Sequence, residues 1–250
     1  KMCIIEREEE KKIKRYGFIS TGNFNESTAK IYTDFTLFRA NQKILKDINI
    51  VFDFFQYNYK IFTYKHIITS PHYTKSKIFK LIDNEIDNAK LGKPAYIKIK
   101  LNSISSYMMI DKLYEASRAG VKIQMIIRGI CCLVPGIKDM SENIEVISII
   151  DKFLEHTRLL IFCNDDKPKV YISSADWMTR NIENRVEVTC PIYDEDIKQE
   201  LLDIFEICWN DNVKARIINS TQDNPYVRNK LPKTRTQFAT YNYYLKKLEK

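Results

Sequence analysis

The spacing of apolar positions changes along the chain, and each change marks an element. Residues 2–5 and 16–20 are short apolar runs that predict two strands, with the charged stretch 6–15 read as the hairpin turn between them. Residues 44–64, rich in Phe, Tyr and Ile, predict a helix followed by a connecting segment. A new unit begins near His66. Residues 67–70 predict a short strand stopped by Pro71. Residues 75–91 place Ile78, Leu81, Ile82, Ile86 and Ala89 at helical spacing, ended by Gly92 and Pro94. Residues 95–101 alternate as a strand, 107–119 form a second amphipathic helix stopped by Gly120, and 121–127 form a strand that delivers Arg128 at its C-terminal end. This strand–helix–strand–helix–strand order predicts a mainly parallel sheet with right-handed crossovers.

Residues 144–153 are apolar with mixed periodicity and fix no element. Residues 157–163 and 169–173 predict paired strands about the turn 164–168; residues 185–190 predict another strand and 194–209 a helix. The tail from Asn210 is polar and basic. It ends in a predicted helix, 236–248, with Phe238, Tyr241, Leu245 and Leu248 on one side. The expectation is an α/β fold of two units with mixed, largely parallel sheets. Residues 1–65 are the C-terminal part of a first unit truncated at its N-terminus, and 66–250 are a second unit with a helical tail. The chain opens directly on a strand, which predicts that it is a fragment of a longer one.

Composition narrows the class. At 250 residues, 44% hydrophobic and 12% aromatic, the chain can bury a core and is not disordered, collagen-like or disulfide-rich. No apolar run approaches the ~18–20 residues needed to span a bilayer. The net charge of +8 favours anionic partners. The six cysteines show no zinc-type spacing and read as small buried residues of a reducing cytoplasm, the adjacent Cys131 and Cys132 included. The basic tail reads as a solvated or oligomer-contact surface, not a nucleic-acid site.

The most informative feature is an internal repeat. Gly17, Phe18, Ile19, Ser20, Thr21, Gly22, Asn23 and Phe24 are answered by Val170, Tyr171, Ile172, Ser173, Ser174, Ala175, Asp176 and Trp177. Each copy has a strand, two hydroxyl residues, a small residue, Asn or Asp, and an aromatic. Asp34 and Glu187 each lie 14 residues after the first Ser. Upstream, each strand is preceded by another that starts with a base, Lys1 or Arg158. His156 stands two residues before Arg158, so a faithful first copy predicts a His two positions before Lys1.

A His held by a carboxylate keeps one tautomer and can act as nucleophile or acid–base group near neutrality. Asp34 and Glu187 are suitable partners. Lys1 and Arg158 can hold a phosphoryl oxygen, and the hydroxyls and backbone N–H groups after each second strand add an anion-binding turn. The combination suits phosphoryl transfer, in which cationic positioning does most of the catalysis. Arg128, at the end of a parallel strand, stands where α/β sites cluster. Lys100 is a further candidate for the same crevice, whereas His66 and His72 read as structural.

His-x-Arg followed by the hydroxyl-rich strand end resembles the phospholipase D superfamily motif, in which two copies meet across a pseudo-twofold axis. The chain departs from it in Arg158 for Lys, in Asp176 for Asn, and in lacking the customary Asp after His156. The ordered strings Ser20-Thr21-Gly22-Asn23-Phe24-Asn25, Ile31-Tyr32-Thr33-Asp34-Phe35, Arg128-Gly129-Ile130-Cys131-Cys132, Phe153-Leu154-Glu155-His156 and Tyr171-Ile172-Ser173-Ser174-Ala175-Asp176-Trp177-Met178 resemble more closely the bacterial polyphosphate kinases of the ATP-using type 1. This resemblance runs essentially end to end. It implies two phospholipase-D-like units, and reversible transfer of the ATP γ-phosphate to polyphosphate through a phosphohistidine just before Lys1. It also implies a second essential His at His156, nucleotide or phosphate contacts from Tyr32, Arg128 and Arg185, and Mg²⁺ with ligands outside this chain. ATP, ADP and polyphosphate are the implied partners of a cytoplasmic homo-oligomer, with room for peripheral association at the inner membrane. The competing readings are a phospholipase-D-type phosphodiesterase or nuclease, and a non-catalytic polyanion-binding module.

Overall fold

The structure is a computed structural model that describes residues 1–249. Its first strands, β1 (Met2–Glu9) and β2 (Lys12–Ser20), pair antiparallel from Met2 opposite Ile19 to Glu9 opposite Lys12. The charged run 6–15 is therefore mostly strand, and the turn is only Glu10 and Lys11, both left-handed at φ 51° and 59°. The outer half of this ribbon is wet on both faces, so no hydrophobic alternation announces it. Its charges pair across the strands instead, Arg15 with Glu6 at 2.6 Å and Lys14 with Glu9 at 3.1 Å.

A short helix α1 (Glu26–Ala29) follows, capped by the Asn25 side chain, and then β3 (Tyr32–Thr33) and β4 (Thr36–Arg39), the latter pairing with β2. Helix α2 (Gln42–Gln56), capped by Asn41, buries Ile44, Leu45, Ile48 and Val51. It stops at Gln56, and the expected connecting segment follows.

The second unit supplies β5 (Ile68–Thr69), α3 (Thr74–Lys90), β6 (Tyr96–Leu101), α4 (Tyr107–Arg118), β7 (Lys122–Ile127), β8 (Ile144–Ile149), β9 (Leu154–Glu155), β10 (Leu159–Phe162) and β11 (Lys169–Ser173). A π-helical turn at Arg180–Asn184 leads to β12 (Val188–Pro191), α5 (Glu195–Trp209), β13 (Ala215–Ile218) and α6 (Thr236–Leu248). The π turn ends on Arg185, which is why the last central strand starts three residues later than expected.

Eight of these strands form one sheet in the order β13-β8-β7-β6-β10-β11-β12-β5. It is mixed, as expected, but parallel pairing is confined to β6, β7 and β8. A short connection makes β11 return beside β10, and strands joined that way must run antiparallel; β12, reached by a longer connection, also pairs antiparallel with β11. The undecided stretch 144–153 contains β8, and the polar tail hides an unexpected edge strand, β13.

Two apolar cores sandwich the sheet. Ile78, Ile82, Ile110 and Leu113 of α3 and α4 pack on one face. On the other, Ile204 and Phe205 of α5 join Leu45 and Ile48 of α2, Ile19 of β2 and Leu37 of β4. Residues before His66 thus share a core with those after it. A two-residue parallel ladder, β3 to β9, adds a direct backbone link, Tyr32 opposite Leu154 and Thr33 opposite Glu155.

Replacing Glu10 and Lys11 by Asn and Gly, the pair a left-handed two-residue hairpin favours, should raise stability by about 1 kcal/mol. The urea midpoint reads this directly. An unchanged midpoint would show that the two left-handed residues cost nothing.

Candidate active site

The repeat is reproduced bond for bond. Ser20 N–H donates to the Lys1 carbonyl at 2.8 Å, and Ser173 N–H to the Arg158 carbonyl at 3.1 Å. The Ser20 hydroxyl accepts from Gly22 N–H at 3.1 Å and the Ser173 hydroxyl from Ala175 N–H at 3.0 Å. Thr21 and Ser174 accept from the N–H of Phe35 and Val188, at 3.0 and 3.1 Å. Their hydroxyls donate to the carboxylates of Asp34 and Glu187, respectively. Equal spacing in sequence is therefore equal geometry in space.

One of these carboxylates crosses over. Asp34 of the first copy receives the ring Nδ1 of His156, from the second copy, at 2.8 Å. With Nδ1 carrying the proton, Nε2 is the free nitrogen of the ring. Backbone contacts fix the approach, His156 N–H donating to the Thr33 carbonyl at 3.2 Å. Tyr32 lies against the imidazole with ring centroids 4.9 Å apart. Gly22 is needed here for space: a Cβ on it would stand 1.8 Å from Asp34 Oδ2.

Arg158 is the buried centre of the cationic side. It donates through Nη2 and Nε to Asp176 at 3.0 and 3.3 Å, and through Nη1 to the His156 and Thr21 carbonyls at 2.9 and 3.1 Å. Its Nη1 also lies 3.4 Å from His156 Nε2. The departure from Asn to Asp at 176 is thereby explained, because a buried guanidinium needs an opposite charge. Asp176 is itself fixed by the backbone N–H groups of Asn102 and Ser103, at 2.8 and 3.2 Å.

Arg128 leaves the end of β7 and donates through Nε to Asn102 Oδ1 at 3.0 Å and to the Glu155 carbonyl. Burial depresses its guanidinium below the ordinary value, eased by Asp176 and reinforced by Arg158. Burial likewise lowers the Lys1 ammonium, against the pull of Glu187. Glu187 is held by Ser174 and by Asn181 Nδ2 at 2.8 Å.

Lys1, Arg128, His156, Arg158, Arg180, Arg185 and Glu187 line one cleft of about 830 Å³. Arg185 is exposed at its rim, and its guanidinium makes no hydrogen bond among the described residues. Tyr32 borders His156 from a neighbouring cavity of about 520 Å³. Lys100 was expected in the cleft, but it faces that second cavity and pairs with Glu155 at 2.5 Å, because alternation along β6 turns it away. His66 and His72 lie apart from the cleft, His66 against Tyr193 and His72 against Phe54. Asn102 and Asn181 were missed. Asn102 had a usable signal, since it ends β6 beside the strand that ends at Arg128. Asn181 had none.

Converging cations, an imidazole oriented by a carboxylate and a dense set of N–H and O–H groups suit a multiply charged phosphoryl anion. Among the described residues no group of three or more His, Cys, Asp or Glu could hold a metal ion.

Residues 67–237 match the family model described as polyphosphate kinase C-terminal domain 2, and residues 1–61 match polyphosphate kinase C-terminal domain 1. The whole chain is 50% identical to a stretch of the polyphosphate kinase of Vibrio parahaemolyticus and 43% identical to one of the polyphosphate kinase of Escherichia coli. It spans 36% of the length of each. The crystal structure of polyphosphate kinase from Porphyromonas gingivalis superimposes with a TM-score of 0.91 at 40% identity, covering 98% of this chain and 38% of that one.

Gly22→Ala should push Asp34 off His156, costing about 1–3 kcal/mol and changing the ¹⁵N signal of the His156 ring as its carboxylate partner is lost. An unaltered signal would mean that the carboxylate has another way to reach the ring. Arg158→Ala strands the Asp176 charge and should cost about 3–5 kcal/mol in a denaturant melt. Arg185→Ala should leave the midpoint unchanged and weaken binding of a phosphate chain. The reverse ranking would exchange the structural and ligand-facing roles of the two arginines.

Proposed function

Because the chain belongs to the polyphosphate kinase family, we propose that it is the C-terminal catalytic region of an ATP-using polyphosphate kinase. In this reading the γ-phosphoryl group of ATP passes to a histidine two residues before Lys1: an N–P bond forms as the bond to the ADP oxygen breaks. A terminal oxygen of polyphosphate then takes the phosphoryl group, the N–P bond breaks, and the chain is one unit longer. Every step is reversible.

One observation carries the reading, the crossed repeat. Asp34 of one copy orients His156 of the other, and the twofold-related carboxylate, Glu187, sits beside Lys1, where a histidine two residues upstream would meet it. Each carboxylate would then fix one imidazole. His156, held at Nδ1, acts through Nε2 on the oxygen that leaves or attacks. Arg128, Arg185 and Lys1 hold the phosphoryl oxygens, the buried Arg158 adds fixed positive charge beside them, and Tyr32 packs at the nucleotide side of His156. Magnesium belongs to the reading through the family resemblance alone. Among the described residues the cleft presents no ligand cluster for it.

A homo-oligomer in the cytoplasm, with peripheral attachment to the inner membrane, belongs to the same reading. No helix among the described residues is long and apolar enough to cross a membrane.

The test uses the full-length protein that contains this chain. Treatment with γ-labelled ATP should yield an acid-labile phosphohistidine, mapped by mass spectrometry to the histidine two residues before Lys1. His156→Ala should lower the rate of polyphosphate synthesis by about 10²–10⁴-fold, as expected for loss of an acid–base group. Absence of the labelled histidine overturns the mechanism. Steady phosphodiester cleavage independent of ATP would establish the phosphodiesterase reading instead. The 250-residue chain alone should bind polyphosphate weakly without turnover, and synthesis by it would contradict the placement of the nucleophile.

A further inference from the structure

We propose that Lys100, Glu155 and Gln237 are positioning residues: they hold the His156 segment in register against the Tyr32–Asp34 segment, and so make the C-terminal strap part of the catalytic apparatus. This rests on the role given to His156 above.

The ladder between β3 and β9 is only two residues long. Its backbone contacts are Leu154 N–H to the Ile31 carbonyl at 2.8 Å and His156 N–H to the Thr33 carbonyl at 3.2 Å. So short a ladder cannot specify its own register, and a slip of one residue turns every side chain to the opposite face. Here a slip would carry His156 away from Asp34 and Tyr32 together.

Glu155, the residue before His156, supplies what the backbone lacks. Its Oε2 accepts from Lys100 Nζ at 2.5 Å and from the Thr33 hydroxyl at 3.4 Å, and its Oε1 accepts from Gln237 Nε2 at 2.8 Å. Its carbonyl takes the Arg128 side chain. One buried residue thus joins β6, β3, α6 and the strand end at Arg128. Gln237 also grips the chain directly, its Oε1 accepting from Phe153 N–H at 3.0 Å and its Nε2 donating to the Phe153 carbonyl at 2.8 Å. The side-chain amide acts there like a second strand partner beside β3, for the residue just before β9.

The strap that delivers Gln237 is anchored on both sides. Arg235 forks onto Asp151, with Nη2 and Nε at 2.6 and 2.8 Å, and Thr236 N–H donates to Asp211 at 2.8 Å. Along α6, Tyr243 and Tyr244 donate to Asp203 and Glu200 of α5, both at 2.8 Å.

Packing does not explain the arrangement. The pair borders the cavity of about 520 Å³, into which the walls also present Thr157 and Thr236, whose hydroxyl oxygens have no partner. Glu155 therefore has space to move if its hydrogen bonds are lost. Burial opposes both charges, yet Lys100 is held above its ordinary value by Cys208 and Glu155, and Glu155 is held below its own by Lys100. A buried pair is weak evidence for stability, because apolar residues of similar volume often replace one without loss. Its value here is the geometry it imposes.

That difference provides the test, made in the full-length protein. Lys100→Met alone leaves Glu155 buried and unpaired and should lower the unfolding midpoint. Lys100→Met combined with Glu155→Met should return the midpoint close to wild type, while kcat for ATP-dependent polyphosphate synthesis stays about 10–100-fold down with KM for ATP unchanged, the scale seen when groups that orient a functional ligand are removed. The His156 ring ¹⁵N signals should shift in the double variant. Gln237→Ala, which leaves the ion pair in place, should reproduce the kcat loss and the shift with little change in midpoint. Recovery of kcat in the double variant, or a Gln237→Ala enzyme with wild-type kcat, overturns the proposal. If the wild-type protein makes no polyphosphate, the functional reading falls, and unshifted His156 signals in both variants would separately overturn this one.

Discussion

The hydrogen bond between His156 and Asp34 is the constraint on which the site depends, because its two ends come from different copies of the repeat. The second copy's own carboxylate, Glu187, contacts Ser174 and Asn181 instead. The contact between His156 and Asp34 exists only if β1, β2, β4 and α2 dock on the large sheet with the correct depth and angle. The shared core of Ile19, Leu37, Leu45 and Ile48 with Ile204 and Phe205 fixes that docking. The hydrophobic effect is non-directional, so such a core sets distance but not register. Register comes from directional side-chain bonds near the site: Arg158 Nη1 to the Thr21 carbonyl and the Thr33 hydroxyl to Glu155. Nonspecific burial and specific polar contacts divide the work in that way.

The cationic cleft has an electrostatic cost that the structure meets unevenly. Arg158 is fully inside and spends its hydrogen bonds on Asp176 and on carbonyls, so it serves as fixed positive potential. At the rim, the Arg185 guanidinium has no hydrogen-bond partner among the described residues and remains able to reach a ligand. Arg128 is between the two, with Nε tied to Asn102 and Glu155. Cations at graded depth are appropriate to a chain of phosphates, whose inner groups meet preorganised charge while the outer ones meet mobile charge.

Much of this was legible in sequence because it is written in local patterns. Helical spacing located α3, α4, α5 and α6, and the repeat located Ser20, Ser173, Asp34, Glu187 and His156 before any coordinates. What stayed hidden depends on partners distant in sequence. The β1–β2 hairpin itself was legible, but its outer half reads as turn because strands wet on both faces carry no alternation. β13 is an edge strand in a polar tail, and its pairing with β8 is decided by tertiary packing. Lys100 was assigned to the wrong cavity because period two along a strand gives two faces without saying which one meets the site. Asn181 could not be found, since a single asparagine in a π-helical turn has no periodic signature.

The differences between the copies carry as much information as their likeness. In the first, the position after the hydroxyl pair is Gly22, and the Asp34 carboxylate occupies the space a Cβ would fill. In the second, that position is Ala175, whose methyl denies the same space, and the carboxylate is carried by the longer Glu187. The extra methylene lets Glu187 keep the Ser174 contact and reach Asn181 as well. Glycine with aspartate and alanine with glutamate are thus two solutions to one steric problem, each needing both of its changes at once. Exchanging only the acids would leave one carboxylate short of its hydroxyl and crowd the other against its neighbour. The two halves are therefore not interchangeable. The compact one orients His156, and the extended one stands beside Lys1, with its carboxylate held by Ser174 and Asn181.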